Sequence, residues 1–185
     1  MSVRDSLGTH LTGLEQLQRM VREDLRPGMG QLLGMRLVEA ERGRAVLEGT
    51  PTEAAYNVIG TVHGGYAATM LDFACGYAVL SVLGPGQGFT TIELKVSFLR
   101  PLTAGRGTVR AEGKLVKAGR RVAFSEATLV DASGQPCATA SAMVSGEATV
   151  RLAGRGGRRM ARRSASCASK TIAQVGSMTS SRKMT

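Results

Sequence analysis

The sequence predicts an α+β fold in which an antiparallel β-sheet wraps one long central helix, with a shorter amphipathic helix at the N-terminal side. Three observations predict it. From Gly64 to Leu83 the chain is apolar on every side and carries a single formal charge, Asp72. That stretch is too long for a strand, and a helix without a polar face has to be surrounded. The segment Thr91-Ile92-Glu93-Leu94-Lys95-Val96-Ser97-Phe98 alternates polar and apolar side chains at period two, as a half-buried strand does. Further strand-like segments follow it to residue 147, joined by connections too short for crossovers, so neighbouring strands run antiparallel.

Taken in order, residues 11–26 place Leu11, Leu14, Leu17, Val21 and Leu25 three or four positions apart with charges between them, which predicts an amphipathic helix stopped by Pro27 and Gly28. Residues 31–41 and 44–50 read as two strands joined at Arg42-Gly43, and a loop covers 51–62. The central helix ends at Gly84-Pro85-Gly86, and the strand after it ends at Pro101. Strands are expected over 106–117, 121–131 and 137–147, separated by Ala118-Gly119-Arg120 and by Ser133-Gly134-Gln135-Pro136.

A chain of 185 residues is long enough for one domain with its own core and too short for two ordinary ones. The expected domain is 1–147. Nine of the 24 basic residues and none of the 14 acidic ones fall in 148–185, so the net charge of +10 is a property of that segment and the body is nearly neutral. Without acids or aromatic rings it cannot bury enough apolar surface to offset its ordering entropy, and we expect a disordered basic tail. Its charge would give at most salt-dependent attachment to nucleic acid or anionic membrane, and no specific nucleic-acid partner is expected.

Three cysteines, Cys75, Cys137 and Cys167, stand far apart in no CxxC spacing, which predicts neither a disulfide framework nor a zinc site. Arg4, Asp5 and Glu15 interrupt any signal-peptide core, and a cytoplasmic location is expected. The central apolar stretch predicts no membrane span, because Asp72 near its middle costs about 2.5 to 3.5 kcal/mol on insertion scales. No GxSxG elbow or Walker sequence occurs, two histidines are too few for a histidine metal cluster, and Cys75 reads as core packing.

Asp72 is the only formally charged side chain between Glu53 and Glu93. An ordinary reading makes it a hydrogen-bonded carboxylate at the helix rim, and a functional one makes it a general base or nucleophile. Eight residues upstream the helix opens with His63-Gly64-Gly65. Free N–H groups and the positive end of the helix dipole there suit an anion, and glycine lets a substrate oxygen approach the backbone. At 1.5 Å per residue, Gly64 and Asp72 lie about 12 Å apart along the axis. One carbonyl carbon cannot touch both, so if both act on it they must come from two copies of the chain, in a two-fold dimer with shared sites.

The run from Asn57 through His63-Gly64-Gly65 to Asp72, followed by Thr91 to Pro101, resembles the PaaI-like hotdog-fold acyl-CoA thioesterases, of the phenylacetate-degradation type, over roughly residues 30–147. The resemblance implies a hotdog fold, a homodimer assembling to a tetramer, and hydrolysis of a small to medium acyl-CoA, with aromatic acyl groups within the expected range. It implies Asp72 as base or nucleophile, the Gly64 N–H as oxyanion donor with Gly65 beside it, and Asn57 assisting at the carbonyl or orienting water. Thr91 matches a family hydroxyl, with Thr90 one residue away, and His63 would shape the turn. No cofactor is implied, since coenzyme A is part of the substrate. Its phosphates need cations, for which Arg100, Lys117, Arg120 and Arg121 are candidates. Two alternatives stand beside hydrolysis: an enoyl-thioester hydratase or dehydratase of the same fold, and a non-catalytic acyl-CoA-binding protein.

Overall fold

In a computed structural model of the chain, residues 7–26 and 28–148 are described. The tail expected over 148–185 lies outside them apart from Ala148, as does Pro27, but the helix expected over 11–26 spans only 13–22 and ends at the Glu23 cap, before the stop expected at Pro27 and Gly28.

The first helix, α1 (Gly13–Arg22), begins where Thr12 and Glu15 form a capping box: the Thr12 side chain accepts from the Glu15 backbone, and the Glu15 carboxylate accepts from the Thr12 N–H at 2.7 Å. Those bonds satisfy donors that a helix start would otherwise leave bare. Leu17 and Met20 on its inner face pack beneath β1 (Met35–Glu41) with Met35 and Leu37.

Residues 31–34 correct an expectation. They are not the start of a strand: Met29–Leu32 forms a short helix, α2, and β1 begins only at Met35. Gly28 and Gly34 flank it with φ of 58° and 65°, a left-handed backbone that breaks an extended run on either side. The turn at Arg42-Gly43 then leads into β2 (Arg44–Gly49) as the sequence predicted. After a short 3-10 turn at Glu53–Ala55 comes α3 (Gly64–Leu80), followed by β3 (Gln87–Phe98), β4 (Val109–Ala118), β5 (Val122–Val130) and β6 (Pro136–Ala148).

All pairings are antiparallel, in the order β1-β2-β4-β5-β6-β3. The inner face is built of small residues, Ala111, Ala123, Ala127, Ala138, Ala140 and Ala142, which lets α3 lie deep against the sheet. Met70, Leu71 and Ala74 on the helix meet Leu47, Leu129 and Val144 in one cluster. The closest approach is at Gly113 of β4, where an added Cβ would collide with the backbone carbonyl of Ala74. On the opposite face, Arg44 bridges Glu39, Glu41 and Glu112, while Arg110 bridges Glu39 and Glu48. These pairs hold the Glu39 and Glu112 carboxyls below the usual glutamate range.

Two features depart from the simple pattern. The sheet does not surround α3 completely: Gly65, Ala68, Thr69, Asp72, Phe73 and Tyr77 form a stripe that keeps solvent exposure. And β3 does not alternate without interruption. Thr91 pairs with Val144 and Glu93 with Met143, so Ile92 is an extra residue in a β-bulge and is 53 % exposed. The bulge turns Thr91 inward while Leu94 and Val96 beyond it still face the core. Among the described residues β3 is also an edge strand of twelve residues, paired only with β6.

Because backbone rather than a movable side chain occupies the space at Gly113, Gly113→Val should destabilise the fold by about 3 kcal/mol. The denaturation midpoint in urea should fall at constant slope. An unchanged midpoint would contradict the close packing of β4 on α3.

Candidate active site

His63 stands at the N-cap of α3, and its Nδ1 accepts from the Gly65 N–H at 2.8 Å. The Tyr66 N–H bonds the His63 carbonyl at 2.9 Å. Two of the first donors of the helix are thereby used, whereas the Gly64 N–H has no partner among the described residues. It points from a helix N-terminus, where partial positive charge accumulates. A Cβ at Gly64 would stand 3.0 Å from the ring of Phe98, so the absence of a side chain keeps the approach open. Gly64, Phe98, Leu99, Arg100 and Leu102 line a pocket of about 380 Å³ that does not include Asp72.

Asp72 lies two turns along the helix, half-buried on the uncovered stripe. The Thr91 hydroxyl donates to its Oδ1 at 2.9 Å. Thr91, rather than the exposed Thr90, is therefore the threonine bonded to Asp72, and among the described residues Oδ2 has no partner. A carboxylate held by one oxygen keeps the other at a fixed angle for a proton or a carbon.

Asn57 is spent largely on its own turn. Its Oδ1 accepts from the Ile59 and Thr61 N–H groups at 3.1 and 3.2 Å, and its Nδ2 donates to Thr61 Oγ1 at 2.9 Å. The bridge between Tyr56 and Val62 closes the base of that turn and sets it next to the start of α3.

The four candidate cations separate into two groups. Arg100 lies with Gly64, whereas Lys117, Arg120 and Arg121 surround the β4–β5 turn, whose strand Val122 is in line with Ser145 and Thr90 at the opposite end of β3. All four are exposed and none makes an ion pair among the described residues, in contrast to Arg44 and Arg110.

Aromatic side chains flank Asp72 and Gly64 in a way that period and charge along the chain do not reveal. The chain has four Phe and three Tyr in all. Phe73 and Tyr77 stack beside Asp72 with ring centroids 5.6 Å apart, and the edge of Phe89 fills the notch at Gly76, where a Cβ would fall 2.5 Å from its Cε2. The signal was their concentration, with Phe98, around Asp72 and Gly64 in a chain poor in rings. Burial pushes the Tyr77 phenol up to about 12, so it stays neutral. The same cause lifts the Cys75 thiol to about 11, as expected of a packing cysteine rather than a nucleophile. Among the described residues no three His, Cys, Asp or Glu side chains gather as a metal site, and no helix is long and apolar enough to cross a membrane.

The thioesterase superfamily profile matches residues 59–138, which span the helix start, Asp72, Thr91 and Arg100. A phenylacetic acid degradation-related protein from Ralstonia eutropha JMP134 superposes with a TM-score of 0.63 at 30% identity, over 70% of this chain and 98% of its own. The chain belongs to the thioesterase superfamily. This thioesterase is also similar to a thioesterase family protein from Silicibacter pomeroyi, with a TM-score of 0.62 and 30% identity over 70% of this chain and 97% of that one. Human acyl-coenzyme A thioesterase 13 is 28% identical over 51% of this chain and 66% of its own length. The hotdog architecture and thioester hydrolysis are thus those of its family.

Replacing the Thr91 hydroxyl by a methyl group in Thr91→Val removes the one side-chain bond that holds the Asp72 carboxylate among the described residues. Turnover should fall about tenfold or more with KM little altered, while Thr91→Ser retains most of it. Equal kcat in all three proteins would remove Thr91 from the site.

Proposed function

We propose that this thioesterase hydrolyses small to medium acyl-CoA, aromatic acyl groups among them, to the free acid and coenzyme A, with Asp72 acting on a carbonyl polarised by the Gly64 N–H of a second copy. The observation that carries the reading is the pair of half-sites: a carboxylate braced by Thr91 on one side, and about 12 Å away along the same helix a bare N–H in a glycine opening. Each lacks what the other has.

With Asp72 as base, its free oxygen takes a proton from water, the resulting hydroxide adds to the thioester carbon, and the carbonyl oxygen gathers charge against the Gly64 N–H. Collapse breaks the C–S bond, and the proton passes to the leaving thiolate of coenzyme A. With Asp72 as nucleophile, the carboxylate adds to the thioester carbon, collapse breaks the C–S bond and expels the coenzyme A thiolate, which takes up a proton, and water then hydrolyses the mixed anhydride to the free acid and the restored carboxylate. Either route uses protons and water alone.

Two further observations support a shared site. The twelve-residue β3 edge offers unpaired backbone groups to another strand, and α3 shows a stripe its own sheet leaves open. Antiparallel pairing of two helices sets Gly64 of one copy against Asp72 of the other. It also brings Arg100 of one copy to the end that carries Lys117, Arg120 and Arg121 of the other, where the phosphates of coenzyme A need cations. His63, whose Nδ1 is occupied by capping, gives the hydratase alternative no support.

In a thiol-release assay over a panel of acyl-CoA substrates, Asp72→Asn should lower kcat by about 10² to 10⁴ with the fold intact. Undiminished turnover would eliminate the assigned role. Sharing is checked by mixing: Gly64→Pro removes the N–H at a position where helices tolerate proline, and it should be inactive alone. Unfolding both variants and refolding them together should restore about a quarter of wild-type activity, because half the dimers are mixed and each has one complete site. No recovery on mixing, with the dimers formed, would place both groups in one chain.

A further inference from the structure

Two turns meet beside the start of α3 and leave a cavity between them that the reaction described above does not use. The connection from β3 to β4 is tied down at two points. The Val62 N–H, two residues before Gly64, bonds the Leu102 carbonyl at 3.0 Å, and the Ala104 N–H bonds the Tyr56 hydroxyl at 3.1 Å. Gly105 and Gly107 then turn the chain with φ of 76° and 94°, and a Cβ at Gly107 would stand 2.9 Å from that of Ala132 in the β5–β6 turn. Arg106, held between these glycines, lines the cavity of about 380 Å³ that the two turns leave.

The lining combines three chemistries. Pro101, Leu102 and Val109 give it an apolar side. Arg106 is exposed and makes no ion pair among the described residues, although Asp131 lines the same cavity. Asp131 is engaged on one oxygen: its Oδ1 accepts from the Ser133 hydroxyl at 2.7 Å and from the Ser133 and Gln135 N–H groups at 2.9 and 3.0 Å. The Ser133 hydroxyl and then the Gln135 N–H hold its carboxyl below the usual aspartate range, so it is charged and can only accept. A cation for a phosphate, an acceptor for an amino or hydroxyl group and an apolar side for a flat ring are together what a purine nucleotide requires.

This cavity adjoins the pocket at Gly64. Pro101 and Leu102 line both, and Arg100 lines the one at Gly64. From the helix start outward the order is therefore Gly64, Arg100, Arg106, which is also the order of thioester, diphosphate and 3′-phosphate along an acyl-CoA. We propose that the cavity between the β3–β4 and β5–β6 turns takes the adenosine 3′-phosphate end of coenzyme A, with Arg106 on the 3′-phosphate and Asp131 accepting from the nucleoside. The inference rests on the acyl-CoA reading above and adds where the nucleotide lies. In the shared site both arginines belong to the copy that supplies Gly64.

Coenzyme A and 3′-dephospho-coenzyme A differ only by the phosphate assigned to Arg106, and neither is turned over. Each is titrated calorimetrically into the wild type, R106M and R106K, and thermal melting checks that the exposed substitution leaves the fold in place. The wild type should bind coenzyme A about tenfold more tightly than the dephospho form, and R106M should lose that preference. R106K keeps the charge and should retain a preference of several-fold. An unchanged preference in R106M overturns the proposal and returns the phosphate to Lys117, Arg120 and Arg121. Equal weakening of both ligands, or a wild type without preference, overturns it as well. A wild type that binds neither ligand also overturns it, and the acyl-CoA reading falls with it only if no acyl-CoA of the panel releases thiol.

Discussion

The backbone of β4 presses against α3 at Gly113 and Ala74, and the arrangement of the molecule depends on that closeness. A row of alanines across β4, β5 and β6 leaves a shallow inner face, so the helix can lie almost on the strands. Depth decides what remains outside. With its buried residues seated in the sheet, α3 offers one narrow stripe to its surroundings, and Asp72 occupies the middle of it. A carboxylate on a helix this apolar would otherwise face desolvation without compensation. At the rim it keeps contact with water and a hydroxyl partner.

That partner is set in place by an irregularity. Strict alternation through Ile92, Leu94 and Val96 would turn Thr91 to the outer face. The bulge at Ile92 absorbs one residue, so Thr91 and Leu94 both look toward the helix. The cost is an exposed isoleucine on an edge strand, and what it gives is a hydrogen bond to Asp72 at 2.9 Å. Bulges commonly re-aim a side chain beside a site. The edge of the same strand, the open stripe of α3 and the two groups of cations that make no ion pair among the described residues are the features on which the proposed shared site draws.

Much of the site could be read along the chain because its parts are local. The isolation of Asp72, the His63-Gly64-Gly65 helix opening and the separation of about 12 Å between them follow from helix geometry and from which residues are charged. Thr91 follows from the resemblance alone, with Thr90 as its neighbour, since period-two patterning gives no sign of a bulge. The grouping of the rings is not legible for a related reason: Phe73 and Tyr77 read as filler in an apolar helix, and Phe89 meets Gly76 through a contact between distant segments.

The sequence by itself determined the long apolar helix, the antiparallel strands after it and the lone carboxylate, because periodicity and charge are properties of neighbouring residues. It also placed the N-terminal helix, whose Thr12–Glu15 cap is encoded within four positions. Only the tertiary structure decided that residues 29–32 coil before β1, that Ile92 is extruded, and which of two threonines holds Asp72. It also decided which part of α3 its own sheet leaves bare. Each depends on how far one backbone can approach another, and that distance is set by residues far apart in the chain.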